Sequence, residues 1–277
     1  MKSKLLVALM LVLAATVMVG AAAQPAVAIT FGQPDGTLHP NVGALVAAVP
    51  AGPGPNGFTY DGGPVAVSSG TLIAPRVFLI AGHSVEILHG YGIKDDEVWV
   101  TFDSPFVRGT STLIPGTMHA NPGFRWIGSN ANDVAVITFD EDVTGIPPAT
   151  LPTAGQLDRL AVKNGLKDQT FTVVGYGMQE TTVGGGPPVF GQCGERRFTT
   201  SGFNALTPAK LNLSANSALG YGGSGMFDSG GPNFLGDSNV IAATTVGGDP
   251  LCRALQIACR MDTPEARAYL EHYVPLP

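Results

Sequence analysis

Ser229 stands in the run Phe227-Asp228-Ser229-Gly230-Gly231-Pro232. A serine flanked by glycines on a tight turn suits a nucleophile, because backbone N–H groups can converge on an oxyanion beside it. Taken alone, the run also reads as an ordinary Ser-Gly-Gly-Pro surface turn. A hydroxyl is a weak nucleophile and needs a base, and the base needs an orienting acid. Of the five histidines, His83 has the most telling surroundings: the apolar run Val77-Phe78-Leu79-Ile80 delivers it to the small-residue turn Ala81-Gly82-His83-Ser84. His39, His89, His119 and His272 lie in loop-like or terminal polar settings and read as surface residues. Among the acids, Asp133 opens Asp133-Val134-Ala135-Val136-Ile137, where an aspartate at the mouth of a buried strand can be desolvated and can hold an imidazole tautomer. Without His83 and Ser229 it would read as a strand-edge cap. Serine, histidine and aspartate together point to nucleophilic acyl transfer, which requires no cofactor and no metal.

Such a constellation must be assembled by elements distant in sequence. Short β-type runs at 42–49, 65–69, 77–80, 98–102, 134–139, 170–174 and 240–246 alternate with Gly/Pro/Asn/Asp clusters such as 184–188. Many short strands between turn signals read as a sandwich or barrel, and no βαβ alternation or fixed-period repeat is present. The 37 Gly and 22 Pro, against 13% charged residues, agree with a loop-rich all-β protein. A helix is expected over 156–163, where Asn164-Gly165 supplies a stop, and a second after Thr263-Pro264-Glu265, with Thr at N-cap and Pro at N1. The three prolines of 145–152 read as a linker between two β subdomains.

Lys2 and Lys4 precede an uncharged apolar run over residues 5–19, and Ala21-Ala22-Ala23 and Ala26-Val27-Ala28 offer A-x-A cleavage sites. That layout reads as a secretory leader, too short in its apolar part for a membrane anchor. The expected mature chain is secreted, extracellular, free of the membrane and monomeric. Its 13 basic and 21 acidic residues leave no phosphate-binding patch, which argues against a nucleic-acid partner. The three cysteines, Cys193, Cys252 and Cys259, fit no zinc template. Cys252–Cys259 is the expected loop staple, with Cys193 unassigned.

These segments together resemble the trypsin/chymotrypsin family of serine proteases, in its secreted bacterial-type branch. Residues 70–84 resemble the family's histidine segment, Asp133 to Phe139 its D-I-A-L-L-x-L strand, and Val174-Gly175-Tyr176-Gly177 its G-W-G segment. Thr245-Val246-Gly247 stands where S-W-G is usual, and Arg260-Met261-Asp262-Thr263-Pro264 leads into the terminal helix. The order His, Asp, Ser is the family's own. The resemblance implies two antiparallel Greek-key β-barrels, 29–145 and 146–277, with a short helix near the linker, a C-terminal helix and the site in the cleft. Residues 1–28 would be the leader, with cleavage after Ala23 as the alternative. It further implies Ser229 as nucleophile, His83 as general base then acid, Asp133 as orienting carboxylate, and the N–H groups of Phe227 and Ser229 as the oxyanion hole. Ile29, freed by cleavage after Ala28, would place its ammonium beside Asp228. Gly223, Thr245 and Gly247 would line the primary specificity pocket; with no aspartate at Gly223, cleavage after Lys or Arg is not expected.

The family has glycine where this chain has Phe227, and bridged cysteines where it has Ser68 and Ser84. A non-glycine residue at positive φ is strained by ~1–2 kcal/mol. The chain therefore reads as a secreted endopeptidase acting on a protein or peptide, with an inactive pseudoprotease that binds a partner as the rival. A lipase or esterase would want G-x-S-x-G, which Asp228-Ser229-Gly230-Gly231 does not supply.

Overall fold

A computed structural model of the chain describes residues 29–54, 57–127, 131–178 and 193–277. The leader expected over 1–28 and the turn cluster expected over 184–188 lie outside them. The first half supplies β1 (Gln33–Pro34), β2 (Val42–Val49), β3 (Gly52–Pro53), β4 (Thr59–Tyr60), β5 (Gly63–Ala74), β6 (Val77–Ile80), β7 (Val98–Thr101), β8 (Ile114–His119) and β9 (Ala135–Thr138). The second supplies β10 (Thr170–Gly175), β11 (Arg197–Leu206), β12 (Lys210–Ser214), β13 (Pro232–Leu235), β14 (Ile241–Gly248) and β15 (Leu255–Arg260). Helices are α1 (Gly82–Gly90), α2 (Gln156–Ala161) and α3 (Pro264–Leu270).

Two closed antiparallel barrels result. The first runs β2-β5-β6-β9-β8-β7 and closes through β2–β7; the second runs β11-β10-β13-β14-β15-β12 and closes through β11–β12. Side chains alternate between the two faces of a strand, and in the first barrel both faces are buried. Leu45, Ala47, Phe78, Ile80, Ala135 and Ile137 fill its interior. Val42, Ala44, Val77, Leu79, Val134 and Val136 face outward, into a cluster shared with Val174, Tyr176, Phe234 and Ile241 of the second barrel. This double burial is why these strands read as continuous apolar runs rather than alternating ones.

The chain ends brace the barrels crosswise. β1 pairs with β11, and Thr30 bridges Gly223, so the N-terminal segment lies on the second barrel. Helix α3 lies on the first: the Tyr269 hydroxyl donates to the His119 carbonyl and accepts from the Val136 N–H. Thr263 caps α3 as expected, its hydroxyl accepting from the Ala266 N–H at 3.3 Å. The helix expected over 156–163 ends at Ala161 and tightens into a 3₁₀ turn in which Lys163 has φ +57°.

The expected Cys252–Cys259 staple is not formed: no disulfide joins any of the three cysteines. The turn is held instead by the Asp249 carboxylate, which accepts from the N–H groups of Leu251, Arg253, Ala254 and Leu255. Dithiothreitol is accordingly expected to leave Tm unchanged; a fall of several degrees would reveal a bond.

Candidate active site

The nucleophile turn is built by close approach. A Cβ on Gly230 would lie 2.5 Å from the Ser69 carbonyl, and one on Gly231 2.6 Å from that of Val174. Only glycine fits between the barrels at these positions, and Gly230 also has φ +81°. The Gly230 N–H donates to the Thr245 carbonyl and the Thr245 N–H to that of Gly231, seating the turn on β14. From the other barrel, the Ser69 N–H at 3.0 Å and the Ser68 hydroxyl at 2.6 Å both donate to the Ser229 carbonyl.

His83 rides on the first turn of α1, a helix where the sequence suggests only a turn. Gly82 packs against β9's approach, a Cβ there lying 3.1 Å from the Val134 nitrogen. That closeness lets Asp133 reach two groups of His83: its Oδ1 accepts from the backbone N–H at 2.9 Å, and Nδ1 of the ring lies 3.0 and 3.1 Å from the two carboxylate oxygens. The other ring nitrogen, Nε2, lies 2.7 Å from Ser229 Oγ. Serine, histidine and aspartate thus form one hydrogen-bonded line. Burial pushes the Asp133 carboxyl up, but hydrogen bonds and charge from His83 outweigh it and hold the group below its ordinary value. Ser84 and Ser68, where the resembled family has a bridge, are neighbours: their hydroxyls lie 2.9 Å apart, so a hydrogen bond links α1 to β5.

Phe227 has φ +69°. Its ring packs on Phe58, just before β4, at 4.7 Å between centroids, a contact of about 0.5–1.5 kcal/mol that offsets the left-handed strain. Neither its N–H nor that of Ser229 donates to an acceptor among the described residues. Phe227→Ala keeps the strain and loses the ring, whereas Phe227→Gly loses both. The alanine variant is expected to be less stable than the glycine variant by ~1–2 kcal/mol, about 2–8 °C in Tm; equal melting temperatures would show an unstrained backbone.

The expected pairing of Ile29 with Asp228 concerns the amine freed by cleavage after Ala28, and the uncleaved chain places the two residues apart. In the full-length chain the Ile29 nitrogen is a neutral amide, and its side chain is buried with Leu157, Leu166 and Phe171 inside the second barrel. Asp228 is buried and accepts from the N–H groups of Gly225 at 2.7 Å and Gly177 at 2.8 Å and from the Ser69 hydroxyl at 3.4 Å. Burial pushes its carboxyl up to about 7, against these bonds. Unfolded, it titrates near about 3.9. The folded state therefore holds an extra proton between about pH 4 and pH 7, and the stability this lends below about pH 4 is lost as pH rises through 7. Wild-type Tm is expected to fall relative to Asp228→Asn between about pH 4 and pH 8; a constant difference in calorimetry would contradict the shift.

Gly223, Thr245 and Gly247 lie at different depths along the second barrel. Gly223 is buried beneath Ala215 and bridged to Thr30, while Gly247 lies at the exposed end of β14. Between them runs a buried neutral network absent from the sequence reading. Gln256 donates to Thr245 Oγ1 at 3.0 Å and to Asn233 Oδ1 at 2.5 Å, and accepts from the Ser224 N–H at 3.1 Å. Two cavities open on His83: one toward Asp133, Lys210 and Val246, the other toward Ser84, α1 and Phe227. A larger groove of about 780 Å³ beside α3 shares no lining residue with them.

No protein-family model and no curated protein sequence matches the chain. Among solved structures it is similar to HL collagenase, with a TM-score of 0.63 over 90% of this chain and 100% of that one, at 16% identity. The likeness is one of fold, a chymotrypsin-like double barrel.

Proposed function

We propose that this chain is a secreted serine endopeptidase that hydrolyses peptide bonds through an acyl-enzyme on Ser229. The observation that carries the reading is the continuous line from Asp133 through His83 to Ser229 Oγ, with 3.0 and 2.7 Å contacts. In the first half-reaction Oγ attacks the scissile carbonyl while its proton passes to His83 Nε2, and Asp133 steadies the imidazolium through Nδ1. The N–H groups of Ser229 and Phe227 bind the developing oxyanion. Collapse breaks the C–N bond, His83 returns the proton to the departing amine, and water repeats the sequence to release the acid.

A neutral base to the acyl-side pocket supports a preference for uncharged residues before the scissile bond. Gly223 has no side chain, and Gln256 brings an amide rather than a carboxylate. Secretion rests on the leader-like residues 1–28, and no described helix is long and apolar enough to cross a membrane. The rival reading, a non-catalytic binder, draws on the positive φ of Phe227 alone.

A fluorophosphonate probe separates the two. Covalent modification mapped by mass spectrometry to Ser229, and lost on prior denaturation, is the expected result. A folded protein left unmodified would refute the enzyme, and labelling regained in Phe227→Gly would locate the fault in the oxyanion turn.

A further inference from the structure

We infer that the cavity between α1 and Phe227 receives the side chain of the residue following the scissile bond, and that it selects a large apolar one. The inference rests on the proposed hydrolysis at Ser229 and names what that site would recognise on its leaving-group side.

The cavity, about 200 Å³, opens onto both reacting groups, His83 and Ser229. The other cavity at His83 lies toward Asp133 and Val246 of β14, the strand on which the proposed acyl-side pocket is built. A substrate whose acyl portion lies along β14 and whose carbonyl sits at Ser229 therefore sends its amine portion the opposite way, toward α1. When the C–N bond breaks and His83 Nε2 protonates the nitrogen, the first side chain of the departing fragment is the one nearest this cavity.

Its lining sets the chemistry. Phe58, Tyr60, Ile87, Leu88, Tyr91 and Phe227 supply the walls, and His83 is the one titratable group besides the tyrosines. The Ser84 hydroxyl, also at the wall, is engaged with Ser68. A cavity so lined gains by excluding water from an apolar side chain and supplies no carboxylate, ammonium or guanidinium to pair with a charged one. It is also preformed. Tyr60 and Tyr91 meet edge to face at 5.8 Å, and the Gly54 N–H donates to the Phe58 carbonyl at 2.7 Å. A Cβ on Gly54 would collide with the Tyr91 hydroxyl, so Gly54 and the C-cap of α1 are in close contact. The side chain at the strained position 227 thereby acquires a purpose: its ring, held by Phe58, closes the end of this pocket beside the oxyanion turn.

The test uses the mature secreted protein and internally quenched peptides identical except at the residue after the scissile bond: Phe, Leu, Gly, Asp or Lys. Expected kcat/KM values for Phe and Leu exceed those for Gly by at least ~30-fold, within the range hydrophobic pockets deliver, with Asp and Lys lower still. Ile87→Asp, which puts a carboxylate in the wall, should lower the Phe-to-Lys ratio by at least ~10-fold, and Ile87→Ala should lower the Phe-to-Gly ratio. Fluorophosphonate labelling of Ser229 in the wild type runs alongside. A labelled enzyme whose rates agree within ~3-fold across the panel overturns the pocket assignment alone, as does an Ile87→Asp variant with unaltered ratios. No labelling overturns the hydrolase reading and the assignment with it.

Discussion

Ser229→Ala is expected to lower kcat on a peptide substrate by roughly 10⁶-fold while moving Tm by no more than about 6 °C. The two effects differ because the hydroxyl contributes differently to each. In the fold it makes one hydrogen bond, to His83 Nε2 at 2.7 Å, a contact of about 0.5–1.5 kcal/mol. The turn itself is held by backbone groups that alanine retains: the Ser229 carbonyl between Ser68 and Ser69, and Gly230 and Gly231 against Thr245. In the proposed chemistry, by contrast, the hydroxyl forms the covalent bond, and no neighbour can replace it. Steady-state kinetics with calorimetry on the same preparation checks both halves. A variant retaining more than about a hundredth of wild-type kcat would show that Ser229 is not the nucleophile.

Asp133→Asn is expected to lower kcat by about 10⁴-fold, with little change in fold. Asn Oδ1 can go on accepting from the His83 backbone N–H, now 2.9 Å from Asp133 Oδ1. Its amide then turns a donor toward Nδ1, where the carboxylate presented an acceptor. Nδ1 must accept, the imidazole proton moves to Nε2, and Nε2 can no longer take the proton of Ser229 Oγ. ¹⁵N spectra of labelled histidine should show that move directly. Loss of less than about 100-fold, or an unchanged tautomer in the variant, would mean that Asp133 does not set the ring's protonation.

Much of this was legible in the chain. β2 and β6 have the limits that their apolar runs suggest, Val42–Val49 and Val77–Ile80, because a strand buried on both faces has no polar interruption. β11 and β15 escaped notice for the opposite reason. Thr199, Ser201, Gln256 and Arg260 are buried polar residues in those strands, and partners come from distant segments: Gly222 for Ser201, Ser224 for Gln256, Asp158 for Arg260. A pattern read by hydropathy cannot identify a polar residue satisfied from elsewhere. The same blindness hid Ser69, whose hydroxyl donates toward Asp228 and accepts from the Tyr176 N–H, and turned α1 into a turn, since Gly82 and His83 are weak helix formers.

The sequence by itself determined which residue types could do chemistry here, the strands that would carry them and the all-β class, since strand periodicity and turn chemistry are local. It also marked Phe227 as the position needing explanation. Only the tertiary structure decided the rest. It put His83, Asp133 and Ser229 within hydrogen-bond reach across 146 residues of chain, formed no disulfide between Cys252 and Cys259, met Asp228 with the N–H groups of Gly177 and Gly225, and set Phe58 against Phe227. Each of these depends on distances between segments from separate barrels or turns. Such distances follow from how two barrels close and pack, which no local pattern encodes.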